Sequence, residues 1–336
     1  MNQNTQPSNP GQQHDGPLLD IVDLTIGFAD ARGIVLAANQ INLEIQANQT
    51  FGLLGESGCG KSITLRSILG LVPYPGEVVA GQIYWQGHDL LQLSRKEMES
   101  VRGLDISMIF QDPTSSLNPV FTIGDQIVET LKVKLKMSKQ DAQARAVELL
   151  ELVGIPSPEQ RLKLYPHQLS GGMRQRVMIA LAIASQPRLL LADEPTTALD
   201  VTIQDQILNL LADIQHQTGM AIILVSHDVG VVAQNCDVIA VMYSGKIMES
   251  GLAHDVIQTP RHPYTRGLLE AVPTLEGAGQ HHPLKSIPGQ PPNLADLPPG
   301  CPFQPRCPFV RDECATITVQ LDHQLPEHGS ACPFVS

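Results

Sequence analysis

Hydrophobic and polar positions change period several times along this chain, and each change marks an element. A loose alternation of Ile21, Leu24, Ile26 and Phe28 predicts a first strand, and the cleaner one of Ile41, Leu43 and Ile45 predicts a second. The apolar run Thr50 to Leu54 is stopped by Gly55 and a glycine-rich turn. Beyond it Ile63, Leu65, Ile68 and Leu69 take helical spacing from Lys61 to Leu69. Helical spacing returns between Thr122 and Gly154, with Ser138 and Asp141 as an N-capping signal, Gly154 as a stop, and Pro156 and Pro158 as breakers. Ser170 to Ser185 predicts another helix. Leu189–Leu191 and Ile222–Val225 are continuous aliphatic runs, the pattern of strands buried on both faces. Between them Ile203, Ile207, Leu210, Leu211 and Ile214 form a helical stripe ending at Gly219. Strands alternating with helices specify an α/β fold around a largely parallel sheet.

Composition divides the chain. After about Thr259 prolines and cysteines crowd in, and the segment Ile287–Pro292 has the composition of an extended linker. A boundary is therefore expected near residue 260, giving a main domain over 18–260 and an extension over 261–336. That extension is too poor in apolar residues to fold on a core alone and needs docking or a metal staple. Residues 1–17, rich in Asn, Gln, Pro and Gly, are expected to form a disordered leader rather than a signal peptide. No stretch approaches the roughly 20 apolar residues that cross a bilayer. The net charge of −12 argues against nucleic acid, and against unaided docking on anionic lipid, so membrane contact should run through protein partners. A cytoplasmic setting follows, and there the 6 cysteines point to metal or redox chemistry rather than to disulfides.

Gly55-Glu56-Ser57-Gly58-Cys59-Gly60-Lys61-Ser62 matches a phosphate-binding loop and lies between a predicted strand and helix, as that motif requires. Glycines let backbone N–H groups converge on phosphate oxygens, and the helix N-terminus adds a favourable dipole. Lys61 would meet the β- and γ-phosphates, and the Ser62 hydroxyl would ligate Mg²⁺. Ile63, the next residue, is counted with Gly55 to Ser62 among those expected to bind the nucleotide. Cys59 is a small filler, with no base evident beside it. A second acidic feature, Asp193-Glu194, ends the run Leu189-Leu190-Leu191-Ala192. Paired carboxylates at the end of a buried strand are costly unless used. Asp193 is placed to hold Mg²⁺, and Glu194 to act as general base toward the attacking water.

Leu169-Ser170-Gly171-Gly172-Met173-Arg174-Gln175 resembles the signature motif of ABC ATPases. The resemblance covers roughly residues 18–255 and implies a P-loop ATPase core. It adds a helical subdomain over about 112–180 and an antiparallel N-terminal β subdomain, followed by a small irregular extension. It implies a head-to-tail pair of subunits that sandwich two ATP molecules, Ser170, Gly171 and Gly172 meeting the partner's nucleotide. It also makes Gln111 the glutamine that touches Mg²⁺ and the attacking water, Asp200 part of a loop crossing the dimer interface, and His227 the histidine contacting the γ-phosphate. Phe28 is the candidate aromatic for adenine, with a core position on a strand as the alternative.

Cys301-Pro302-Phe303, Cys307-Pro308-Phe309 and Cys332-Pro333-Phe334 repeat one tripeptide, and Cys314 completes a set of four thiols. This tail resembles the C-terminal extension of oligopeptide and dipeptide importer ATPases, with nickel-importer ATPases as close relatives. The resemblance implies a [4Fe–4S] cluster on Cys301, Cys307, Cys314 and Cys332. Zinc is the alternative, although the tight cysteine pair usual in structural zinc sites is missing. Cys236, in an apolar context, is expected in the core. The family further implies two transmembrane permease subunits, an external solute-binding protein, a second ATPase subunit that is a paralogue, and a place on the cytoplasmic face of the inner membrane. Peptide is the solute class implied; nickel or another small solute is the alternative. A soluble ABC protein acting on DNA or ribosomes would show duplicated cassettes, long inserts or basic surfaces. An iron–sulfur electron carrier would have no use for an ATPase core.

Overall fold

The computed structural model describes residues 16–31, 33–112, 116–197, 199–271, 286–322 and 327–334. Most of the expected leader therefore lies outside the described residues, as do Pro113 beside Gln111 and Ala198 before Asp200. Two sheets carry the fold. An antiparallel sheet has the order β2-β1-β4-β5, from β1 (Leu19–Asp30), β2 (Gly33–Ile45), β4 (Gly76–Trp85) and β5 (His88–Asp89). The second sheet contains β3 (Thr50–Leu54), β6 (Ile106–Ile109), β7 (Leu189–Asp193), β8 (Ala221–Ser226), β9 (Val238–Tyr243), β10 (Lys246–Leu252) and β11 (Gly329–Ser330). Its order is β11-β10-β9-β3-β8-β7-β6, parallel from β9 to β6 and antiparallel at the β10 and β11 edge. No described helix is long and apolar enough to cross a membrane.

The aliphatic runs behave as their pattern requires. Leu189 and Leu191 of β7 point into one core cluster, shared with β1 and β2, while Leu190 and Ala192 point into another. β8 divides likewise, with Ala221, Ile223 and Val225 on one face and Ile222 and Leu224 on the other. The second cluster is covered by helices Ile123–Leu135, Lys139–Leu152, Gly171–Ile183 and Val201–Thr218. Ser138 accepts the Asp141 N–H at 3.2 Å, and Gly154 takes φ 70° just past the helix end.

The looseness of the first strand has a local cause. Ile21 and Leu24 are three apart, yet both are buried, because β1 slips register between them and Asp23 adopts φ 48°. This bulge brings Leu24 back to the inner face. Gly81 on β4 lies opposite, where a Cβ would stand 2.6 Å from the Asp23 carbonyl.

The described residues beyond Thr259 dock on the main sheet. Helix Pro263–Glu270 comes after the short helix Ala253–Gln258 that follows β10, and β11 adds two residues to the sheet edge opposite Glu249 and Ser250. Glu249, fully buried, accepts the N–H groups of Arg261 at 2.7 Å and His262 at 2.9 Å and meets His328 Nε2 at 2.7 Å. Tyr264, Cys301, Phe303, Cys314, Val319 and Ala331 share a core cluster with Leu54, Val232, Val241 and Met248. Cys236 packs at the margin of this cluster, and burial pushes its thiol well above the usual range. Phe303 is the hub, 5.3 Å from both the Tyr243 and Tyr264 rings. Phe303→Ala should cost about 3–5 kcal/mol and release the extension first, detected as early protease cleavage beyond residue 260 in denaturant.

Candidate nucleotide site

Strand register builds this site. In the parallel ladder Leu54 stands beside Ser226, Val225 beside Asp193, and Ala192 beside Ile109. The residues after each strand end, Gly55, His227, Glu194 and Gln111, therefore emerge along one edge of the sheet. Ligand sites of open α/β sheets form at such carboxyl edges.

Gly55 to Ser62 wraps from β3 into helix Lys61–Ile68. Gly60 has φ 112° and Gly58 φ 79°, both outside the comfortable range of residues with a Cβ. A Cβ on Gly60 would clash with the Ala37 carbonyl, and one on Gly55 with the Met242 carbonyl. Lys61 is only 4% exposed, and its ammonium donates to the carbonyls of Gly55 at 2.7 Å and Glu56 at 2.9 Å. Ser57 and Gly58 are exposed, and Ile63 packs against the core beneath. Burial pushes the Cys59 thiol up, which leaves it a filler rather than a nucleophile.

Ser62 Oγ donates to Asp193 Oδ1 at 2.7 Å. Asp193 is fully buried, and its Oδ2 has no hydrogen-bond partner among the described residues. Burial raises its carboxyl above the usual range, opposed by the Ser62 hydroxyl and by the Arg66 and Lys61 cations. A buried carboxylate with a spare oxygen beside a serine hydroxyl fits a hard dication such as Mg²⁺.

Glu194 follows with φ 45°, its N–H donating to the Val225 carbonyl at 3.2 Å and its own carbonyl accepting from Thr197 at 3.2 Å. Three side chains converge on Oε2: Thr197 Oγ1 at 2.8 Å, Gln111 Nε2 at 3.1 Å and His227 Nδ1 at 3.4 Å. Glu56, Ser57, Glu194 and His227 line one cavity of about 340 Å³. Thr197 was not singled out from the sequence; its place three residues beyond Glu194 on a turn was the available signal. Asp228, beside His227, is engaged in capping helix Val229–Asn235.

The signature residues stand elsewhere. Ser170 caps helix Gly171–Ile183 by accepting the Met173 N–H at 3.3 Å, and it is exposed. A Cβ on Gly171 would meet nothing within 4 Å. Neither Ser170, Gly171 nor Gly172 lines the cavity over Glu194. Gln175 of the same motif reaches back to the Pro195 carbonyl at 2.5 Å and supports the Glu194 turn. Asp200 is exposed and caps helix Val201–Thr218. Phe28 is half-buried on β1, against Gly76 of β4 and the first core cluster.

Cys301, Cys307, Cys314 and Cys332 line a single pocket with His262, Phe303, Phe309 and Phe334. Burial first, and then the three neighbouring thiols, raise the Cys301 thiol to about 11. The donor set fits a thiolate-bound cation or cluster, which would relieve that mutual repulsion. Among the described residues no three or more His, Cys, Asp or Glu side chains stand in metal-ligand geometry. His262 keeps its Nδ1 for the Tyr264 N–H, at 3.0 Å.

Residues 38–197 match the family model of the ABC transporter, and residues 248–314 that of the oligopeptide/dipeptide transporter C-terminal region. The chain is 48% identical to the dipeptide transport ATP-binding protein DppD of Bacillus subtilis, over 93% of this chain and 97% of that protein. It is 51% identical to the oligopeptide transport ATP-binding protein OppD of the same organism, over 87% and 82%. DppD of Escherichia coli is 48% identical over 94% and 96%. Among solved structures, the ATP-binding cassette MJ0796, a dimer bound to ADP and Pi, superposes with a TM-score of 0.64 at 28% identity, covering 70% of this chain and 98% of that one. The two family models, together with relatives at 48–51% identity over most of both chains, place this chain in the family of ABC transporter ATP-binding proteins of dipeptide and oligopeptide transport.

Proposed function

We propose that this chain hydrolyses ATP to power the uptake of dipeptides or oligopeptides through two transmembrane permease subunits fed by an external binding protein. It works at the cytoplasmic face of the inner membrane, paired with a paralogous ATPase subunit. The main domain, about 18–260 with its helical part at 112–180, would carry the ATPase, and 261–336 the four-cysteine extension. The observation that carries the catalytic reading is the convergence of Gln111, Thr197 and His227 on Glu194 Oε2, beside the phosphate loop. Glu194 takes the proton of the attacking water, while Gln111 and His227 orient that water and the γ-phosphate. Lys61 and the amides of the Gly55–Ser62 loop other than Glu56 hold the phosphates, and Phe28 stacks on adenine. Mg²⁺, held by Ser62, Asp193 and Gln111, would neutralise charge on the β- and γ-oxygens. The exposed Ser170 and Asp200, with the half-buried Gly171 and Gly172, are placed to meet the nucleotide and interface of the second subunit.

Vesicles holding the assembled transporter and its binding protein test the transport reading. ATP-dependent accumulation of a labelled peptide supports it; accumulation of nickel with no peptide uptake overturns the solute class.

Cys301, Cys307, Cys314 and Cys332 would hold a [4Fe–4S] cluster that staples the extension. Protein purified without oxygen should carry about four irons and four sulfides per chain, lost in Cys301→Ser. One zinc without sulfide would replace the cluster by a zinc knot.

A further inference from the structure

The C-terminal extension reaches the phosphate loop at Glu56. Tyr264 Oη accepts the Glu56 N–H at 3.0 Å. Arg306 grips the Glu56 carboxylate with both prongs, Nη1 to Oε2 at 2.6 Å and Nη2 to Oε1 at 3.0 Å. The remaining edge of the guanidinium is also used: Nε donates to the Pro288 carbonyl at 3.0 Å, and Nη1 faces Tyr243 Oη at 3.3 Å. The Arg306 side chain is only 4% exposed, so this is a buried, two-pronged pair rather than a screened surface contact. On the other side of the same residue, the Glu56 carbonyl accepts from Lys61 Nζ. Extension, Glu56 and Lys61 form one continuous chain of hydrogen bonds.

Docking alone does not call for this pair. The extension already has a buried clasp at Glu249, a strand on the sheet edge and the Phe303 cluster. A carboxylate is also a poor choice beside a triphosphate. Glu56 lines the same cavity as Ser57, Glu194 and His227, so an unbalanced charge there would repel the nucleotide. Arg306 cancels that charge and fixes the first turn of the loop. The turn that carries it, Gln304–Arg306, runs between Cys301 and Cys307, so the loop and the cysteine pocket share one short segment.

We propose that Arg306, assisted by Tyr264, is a positioning residue for nucleotide binding: it neutralises Glu56 and holds the phosphate loop, so that the extension sets the ATP affinity of this subunit. The proposal rests on the loop being the ATP site. It is tested on the full chain by equilibrium binding of ATP, and on the assembled transporter by steady-state hydrolysis, at a temperature where every variant is folded. Arg306→Met should weaken ATP binding and raise KM by about tenfold, with a smaller effect on kcat. Adding Glu56→Gln to Arg306→Met should bring KM back to within about threefold of wild type, because the unbalanced charge is gone. Wild-type ATP affinity in Arg306→Met, or no recovery in the double variant, would overturn the proposal and leave the pair a docking contact. Should Arg306→Met not fold, Arg306→Lys carries the test, since it keeps charge and loses the fork. An intermediate KM supports the proposal, and an unchanged one overturns it. Lys61→Ala is the separate control: ATP binding at wild-type strength there would refute the nucleotide site itself.

Discussion

Glu194→Gln should bind ATP as the wild type does and hydrolyse it about 10²–10⁴-fold more slowly, the usual contribution of a positioned general base. The exchange keeps the shape of the side chain. An amide oxygen can still accept from Thr197, which donates at 2.8 Å, and from Gln111, which donates at 3.1 Å. The turn at Glu194 is held by main-chain bonds to Val225 and Thr197, and these do not depend on the side chain. What is lost is the ability to take a proton from water. On the proposed cycle, in which ATP binding closes the paired subunits and hydrolysis reopens them, the variant should accumulate as a closed, ATP-loaded dimer. Size-exclusion chromatography with Mg²⁺ and ATP, beside a single-turnover assay, reads both effects. Undiminished turnover would remove Glu194 from the role of base.

Asp193→Asn should abolish the Mg²⁺ dependence of the site and lower turnover by about 10²-fold or more, the scale of several kcal/mol of metal-ion charge stabilisation. Asp193 is fully buried, and Ser62 satisfies only one of its oxygens. Burial, with a smaller push from the neighbouring Glu194, raises its carboxyl, so the ionised form is held at a cost that a bound dication would offset. Asparagine keeps an acceptor for Ser62 and supplies no charge. Thermal denaturation separates binding from chemistry. Mg²⁺ added to the ATP-bound wild type should raise Tm, and the variant should show no such increment. An equal Mg²⁺ shift in both proteins would exclude Asp193 as a ligand.

Much of this molecule is local in sequence. The phosphate loop is eight consecutive residues whose glycines carry the backbone angles, so Gly58 and Gly60 announce the site without reference to the rest of the chain. The aliphatic runs of β7 and β8 declare strands buried on two faces, because every side chain in them is apolar regardless of parity. The helix caps at Ser138, Ser170 and Asp200 are likewise three-residue events. The acidic pair at the end of β7 was legible as chemistry because burial there is costly without a use. Phe28 shows the limit of such signals, since an aromatic on a strand has the same pattern whether it packs on Gly76 alone or also on a base.

What no stretch of sequence contains is register. Gln111, Glu194, Thr197 and His227 meet because β6, β7, β8 and β3 pair in one phase, and a shift by one residue would turn each of them to the other face. The bulge at Asp23 likewise shows only when β2 and β4 are laid against β1. The pairing of Arg306 with Glu56 spans 250 positions, and nothing near either residue points to the other. Periodicity says which face of an element is apolar, and short motifs say what the backbone does there. Which faces meet is decided by burial summed over the whole chain, and so the partners of Glu194 and Glu56 exist only in the folded protein.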